Sequence, residues 1–502
     1  MKKIPTARVI GLVAGLACCI IFSLIDIEPS KPQVGRMLGV ALLMAIWWIA
    51  EVVPLAITSL IPVVLLPFLG ISSGRVVSTA YFNDVIFLFL GGFLLALAMQ
   101  KWQLHKRIAI RILLLTGTKP SGVLMGFMGA TAFLSMWISN TATAMMMVPI
   151  LLSVVLKLSE NATEKQKSNM AAGMLLGVAY SASIGGIATL VGTPPNLSFV
   201  RIFHIMFPHA PEVGFGQWLI FALPVSLLML VFGWVYLSKF YLPASLSGSP
   251  GKKVLSDQYK SLGKMNYEER VVLVVFIALT FLWTFRTDID LGFMVLPGWD
   301  FILAYPDMIT DGTLAIALTI PLFIIPSKKT PDTYLMDWQT ASELPWDIVL
   351  LFGGGFALAG GIRDSGLAQW IGEQLVWMGS LHPVVLIIIV VTMITFLTEL
   401  TSNTATTEMI LPILAGLSVS VNLNPLLLMV PAAIAASMAF MLPVATPPNA
   451  IIFGTRLITV KQMAKAGLVM NLIGIVVLTV LVWFWLRIVF GIEAIEMPSG
   501  WH

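Results

Sequence analysis

The chain is poor in charge. Only 11% of its 502 residues are Asp, Glu, Lys or Arg, against 58% apolar residues and a mean hydropathy of +0.94. No soluble globular protein has that balance, so nearly all of the mass belongs in lipid. Cysteine is scarcer: Cys18 and Cys19 are the two present, adjacent on the first apolar stretch, where they cannot easily pair and offer no metal-ligand spacing. This excludes a disulfide framework and assigns them to packing. Histidine is also scarce, and none of His105, His204, His209, His382 and His502 falls in a motif. A membrane-embedded hydrolase using a serine would need such a base within hydrogen-bond reach. The net charge of +4 is explained by membrane topology and does not imply nucleic acid.

Long apolar runs are abundant. Stretches able to cross a bilayer are residues 8–25, 37–51, 53–70, 84–100, 169–207, 217–238, 270–286, 311–326, 346–362, 425–455 and 466–486. The expectation is an all-α polytopic membrane protein with about eleven transmembrane helices. The start, MKKIPTAR, imitates a signal peptide but lacks a clear cleavage site, so an uncleaved first helix is expected. Two further stretches, 121–156 and 383–421, are too long for one helix and read as re-entrant hairpins. Alternation from a cytoplasmic N-terminus then places the C-terminus outside and puts 22 of the 29 basic residues, beginning with Lys2 and Lys3, on the cytoplasmic side, as the positive-inside rule requires. Asn161-Ala162-Thr163 matches a glycosylation sequon on that same side and reads as chance.

The chain is a duplication. Ser139-Asn140-Thr141 returns 263 residues later as Ser402-Asn403-Thr404, and the same offset carries Asp84-Val85-Ile86 onto Asp347-Ile348-Val349 and FLGGF (89–93) onto FGGGF (352–356). Five crossings separate the copies, so the second is inverted. Each Ser-Asn-Thr lies inside its apolar stretch, with no surface-turn residues around it. A second duplicated element, Thr193-Pro194-Pro195-Asn196 and Thr446-Pro447-Pro448-Asn449, interrupts two uncharged stretches. Paired prolines remove amide donors and break a helix, and broken backbone at membrane depth belongs where it lines a cavity or binds an ion. Half-helix N-termini at such breaks can hold an anion. Ser and Thr in membrane helices commonly serve packing alone, and Pro-Pro is often only a kink; duplication in register favours a site. Glu399 and Glu408, without first-copy counterparts, read as structural hydrogen-bonding groups. Glu51 is expected to cap a helix end near Pro54. A channel is disfavoured because the polar residues cluster at two points.

Together the paired SNTAT tips, the paired TPPN breaks and WWIAEVVP at 47–54 resemble the divalent-anion:sodium symporter family, the INDY-type carriers of dicarboxylates, citrate and sulfate, over about residues 37–486. The resemblance implies a homodimer in the plasma membrane, surrounded by lipid, with a scaffold and a moving transport part that slides as an elevator. The implied division is an N-terminal helix (1–36), scaffold with a first arm helix (37–120, arm 101–116), transport part (121–240), cytoplasmic loop (241–269), scaffold with a second arm (270–380, arm 363–380), transport part (381–490) and tail (491–502).

Carried over residue by residue, the resemblance gives one sodium site to Ser135, Ser139, Asn140 and the Gly192 carbonyl, and a second to Thr398, Thr401, Asn403 and the Ala445 carbonyl. Thr401 departs from the alanine of some relatives. The anion falls to Asn140, Thr141, Asn403 and Thr404, with Thr193, Pro194, Thr446 and Pro447 shaping the pocket. The sequence adds that Ser135 and Thr398 each stand four residues before the tip serine, on a shared helical face. No basic residue occurs in these motifs, so co-transported Na+ and half-helix dipoles must compensate a dianion. The expected function is sodium-coupled symport of C4-dicarboxylates of the succinate, malate and fumarate class; a sodium-independent exchanger and a citrate or sulfate carrier are the alternatives.

Overall fold

A computed structural model describes residues 6–117, 119–158, 163–242, 250–290 and 294–501. Lys2, Lys3 and Asn161 lie outside the described residues. The described residues are mostly helical, with a short antiparallel pair, Ile289–Asp290 with Val295–Leu296, and an isolated bridge between Pro326 and Tyr334. Eight described helices are long and apolar enough to cross a membrane, and five apolar helices are shorter.

Both hairpins are present. Pro120–Ser135 turns into Asn140–Leu158, and Pro383–Leu397 into Asn403–Ser420, with the Ser-Asn-Thr at each turn. Both broken helices are present too: Glu164–Ile187 gives way to Pro194–Met206, and Leu426–Ala435 to Pro447–Gly454. Proline opens each second half-helix, where its missing N–H and fixed φ suit the first helical position. The inner parts of the leading half-helices have no exposed face. Every residue from Met170 to Ile187 and from Leu426 to Ala435 is buried, as expected of helices apolar all round and enclosed by protein.

The FLGGF helix spans Asp84–Lys101 and its FGGGF counterpart Trp346–Asp364. Asn83 caps the first by accepting from the N–H groups of Val85 and Ile86 at 3.1 and 3.3 Å. The rings of Phe89 and Phe352, equivalent under the 263-residue offset, meet edge to face with centroids 5.2 Å apart. Equivalent residues touch only near the axis that relates them, so the pseudo-two-fold passes here. The next equivalents, Gly92 and Gly355, bring this central pair against the site: a Cβ on Gly92 would sit 3.2 Å from Val191, and one on Gly355 would overlap the Glu408 carboxyl.

Three boundaries differ from expectation. The stretch 53–70 is not one helix but Leu55–Thr58 followed by Ile61–Phe68; Pro62 opens the second piece, and the Ser59 hydroxyl bonds back to the Leu55 carbonyl at 2.8 Å. The stretch 311–326 is α-helical only to Thr319 and tightens to a 3-10 turn at Ile320–Phe323, where Pro321 intervenes. The segments expected to be arms, 101–116 and 363–380, hold shorter helices, Leu104–Leu115 and Leu367–Gln374, the second starting after Gly366 at φ +80°, a conformation that favours glycine. The loop after Tyr241 contains a further helix, Pro250–Ser261.

Candidate functional site: a duplicated oxygen cage around one cavity

The two tips and two breaks meet at a single cavity of about 650 Å³. All eight residues expected to face the anion line it: Asn140, Thr141, Thr193, Pro194, Asn403, Thr404, Thr446 and Pro447. Ser139, Gly192, Thr401 and Ala445 line it as well. Four helices start here, at Asn140, Pro194, Asn403 and Pro447, so their N–H ends surround the space. Among the described residues no lysine, arginine or histidine is in the lining.

Ser135 and Thr398 are not in the lining; both are fully buried behind it. The Ser135 hydroxyl is 2.5 Å from Asn140 Oδ1 and 2.7 Å from the Ala182 carbonyl. Thr398 repeats this, 2.8 Å from Asn403 Oδ1 and 2.7 Å from the Ala436 carbonyl. A hydroxyl has one proton and here faces two acceptors. With the proton given to the carbonyl, the hydroxyl and amide oxygens are left side by side with lone pairs unassigned, an arrangement a hard cation relieves. A Cβ built on Gly186 would lie 2.7 Å from Asn140 Oδ1 and 3.1 Å from the Gly192 carbonyl, so these oxygens converge on a space that only glycine leaves open. With its oxygen so engaged, each asparagine has its NH₂ left for an anion.

Ser139 accepts the Ala142 N–H at 3.2 Å, starting its helix. Thr401 turns its hydroxyl away from the cavity: it bonds to the Leu397 carbonyl at 3.0 Å and lies 2.5 Å from Thr406 Oγ1. Among the described residues no cluster of three His, Cys, Asp or Glu side chains could hold a metal; the oxygens of the tips and breaks are hydroxyl, amide and carbonyl groups, all neutral.

Glu399 and Glu408 act as bonding groups, in different ways. Glu399 accepts from the N–H groups of Phe440 (2.7 Å), Met441 (2.9 Å) and Leu442 (3.1 Å) and from Asn471 Nδ2 (2.9 Å), holding the second unwound segment. Glu408 accepts from the Ser198 hydroxyl with one oxygen while the other has no partner. Glu51 closes its helix through the backbone, at φ 45° with its N–H on the Trp47 carbonyl, and Glu51 and Asp347 are the charged residues of the cavity lining. The sequence reading missed Asp347. Its signal was there, since it opens the block duplicated from Asp84. Trp48, Pro54 and Leu55 complete that side and belong to WWIAEVVP or adjoin it.

A duplicated helical membrane protein whose two hairpin tips and two helix breaks bring neutral oxygens and amides to one shared cavity is built as an ion-coupled transporter. The chain belongs to the family described as "Sodium:sulfate symporter transmembrane region", whose model matches residues 6–492. It is 43% identical over 499 residues to the sodium-dependent dicarboxylate transporter SdcS of Staphylococcus aureus strain MRSA252, covering 98% of this chain and 94% of that protein. It is 42% identical over 502 residues to the SdcS of Staphylococcus saprophyticus, covering 99% and 94%. Among solved structures, Neisseria gonorrhoeae MtrF, placed in a class of antimetabolite efflux pumps, shares the fold at a TM-score of 0.58 and 14% identity over 96% of both chains. The protein is a transporter, not an enzyme.

Proposed function

We propose that the protein carries C4-dicarboxylates together with sodium across the plasma membrane. The observation that carries this is the cavity itself: four helix N-termini and two asparagine amides surround it, no basic residue among the described ones lines it, and two hydroxyl–amide–carbonyl clusters flank it. A dianion there is compensated by the cations in those clusters and by the helix ends, so anion binding without sodium is unfavourable. One cation lies among Ser135, Ser139, Asn140 and Gly192 and the other among Thr398, Thr401, Asn403 and Ala445. Asn140, Thr141, Asn403 and Thr404 hold the carboxylates, and Thr193, Pro194, Thr446 and Pro447 shape the walls. The staphylococcal relatives are named as sodium-dependent dicarboxylate transporters, which supports a dicarboxylate as the anion.

The distribution of basic residues supports a cytoplasmic N-terminus and an external C-terminus. On that orientation Glu51 and Asp347 stand at cytoplasmic helix ends, and the cavity they line opens inward. The hairpins and broken helices form the moving part of an elevator, carried against the central glycine-bearing helices of a homodimeric scaffold. The test is radiolabelled uptake of succinate, malate, citrate and sulfate into proteoliposomes with and without a sodium gradient. Dicarboxylate uptake is expected to need sodium and, with more than two cations per dianion, to be accelerated by a negative interior at about 2.3 kcal/mol per net charge per 100 mV. Net uptake sustained equally by potassium or choline, or seen only against preloaded dicarboxylate, makes the protein an exchanger.

A further inference from the structure

Asn196 and Asn449 end the two TPPN elements. Neither lines the cavity, and both are fully buried. The Asn196 NH₂ donates to the carbonyls of Gly186 (3.2 Å), Ile187 (3.1 Å) and Thr189 (2.7 Å). The Asn449 NH₂ donates to those of Ala439 (3.1 Å) and Leu442 (3.0 Å). These acceptors correspond in register: 253 residues separate Gly186 from Ala439, Thr189 from Leu442 and Asn196 from Asn449. The side chains at the acceptor positions differ between copies, so it is the backbone that each amide holds. In both, Oδ1 has no hydrogen-bond partner; only the donor half of the amide is used.

Of the held carbonyls, those of Gly186, Ile187 and Ala439 have no backbone N–H partner at the break, and a buried carbonyl without a partner costs free energy; those of Thr189 and Leu442 accept the amide in addition to one backbone N–H. They also sit just before the two carbonyls that matter for the cations. Gly192 N–H bonds to the Thr189 carbonyl at 3.4 Å and Ala445 N–H to the Leu442 carbonyl at 3.2 Å, so each amide fixes a turn whose next carbonyl belongs to Gly192 or Ala445.

We propose that Asn196 and Asn449 are positioning residues for the two cation sites: each amide orients the unwound segment so that the Gly192 or Ala445 carbonyl faces its cation, setting sodium affinity without touching sodium or anion. This rests on the cation sites described above. The test uses full-length protein carrying Asn196→Ala or Asn449→Ala, with Asn196→Leu and Asn449→Leu as variants that keep the volume and lack the donor. Two midpoints are read: sodium for half-maximal uptake at saturating succinate, and sodium for half of its stabilising effect on thermal unfolding without anion. Both are expected to rise about tenfold, the equivalent of one to two lost hydrogen bonds, while succinate KM at saturating sodium changes less than about twofold. Where the alanine or leucine variant does not fold, Asn→Gln, which keeps the amide but displaces it by one methylene, is expected to raise the same midpoints. Unchanged sodium midpoints with lower turnover or lower melting temperature overturn the proposal, because a merely structural role does exactly that much and no more. Ser135→Ala and Thr398→Ala separate the two ideas. If they leave the sodium midpoints unmoved, the cation-site reading itself fails; if they shift them and the asparagine variants do not, only the positioning role fails.

Discussion

The two copies agree on the oxygens that face the cavity and disagree on what stands behind them. In the first, the break between half-helices is short, from Ala188 to Thr193; in the second it runs from Ala436 to Thr446. The longer break exposes more N–H groups, and Glu399 collects three of them. At the equivalent position the first copy has Met136, whose backbone carbonyl takes the Thr189 hydroxyl at 2.5 Å. Likewise Glu408 is buried against Gly355, whereas its equivalent, Met145, is 62% exposed. What both copies keep is a hydroxyl against the asparagine amide oxygen and a backbone carbonyl. Any arrangement that satisfies the surrounding backbone can support them.

The sharpest way to break the agreement is to remove the shared amides. Asn140→Ala and Asn403→Ala are each expected to reduce uptake about thirtyfold or more, since each removes ~2 kcal/mol of charge-assisted bonding, while the protein still inserts. Wild-type uptake by either purified variant would remove the composite site. Replacing Glu399 probes the disagreement instead. Glu399→Ala leaves three N–H groups and an amide without their acceptor and should cost about 3 kcal/mol or more, seen as a lowered melting temperature in detergent. Met136→Ala should cost about 2 kcal/mol at most, as an ordinary side-chain truncation. Equal effects would mean that the second break does not depend on its carboxylate.

Inversion can be tested by labelling. In a protein with Cys18 and Cys19 replaced by serine, cysteines at Lys253 and Thr330 should react from the cytoplasm and one at Ser499 from outside. Any opposite result removes the alternation on which the inverted repeat depends. The smallest effect concerns the ends of the two central helices. Lys101 reaches Asp337 across 236 residues at 2.5 Å, whereas the FGGGF helix ends with Arg363 bonded to its neighbour Asp364 at 2.8 Å. The hydrogen bond from Lys101, joined by the Thr340 N–H, holds the Asp337 carboxyl down to about 2. A depressed value stabilises the fold above the ordinary carboxylate range and is lost as pH falls through about 2. The pair is partly exposed, so Lys101→Met should cost less than about 1 kcal/mol at neutral pH, and the difference from wild type should vanish in strong acid. A difference unchanged by acid would assign the effect to packing.

The pattern of apolar runs, the duplication and the paired prolines were enough to place the hairpins, the breaks and the candidate oxygens, because helix breaking and membrane burial are local consequences of residue type. The same local logic went wrong where a turn depended on a neighbour, as at Ser59-Leu60 within the stretch read as one helix. Asp347 was visible as a repeated residue but not as part of the cavity. What faces a shared space depends on how distant segments pack, and sequence spacing carries no distance between residues hundreds of positions apart. The sequence by itself determined the membrane setting, the two-fold repetition and the neutral polar residues placed at the tips and breaks. Only the tertiary structure decided that Phe89 meets Phe352 on the axis, that Ser135 and Thr398 stand behind the cavity, and that Asn196 and Asn449 hold backbone instead of ligand. The physical reason is that a buried carbonyl or amide must be paired, and which partner pairs it is settled by packing.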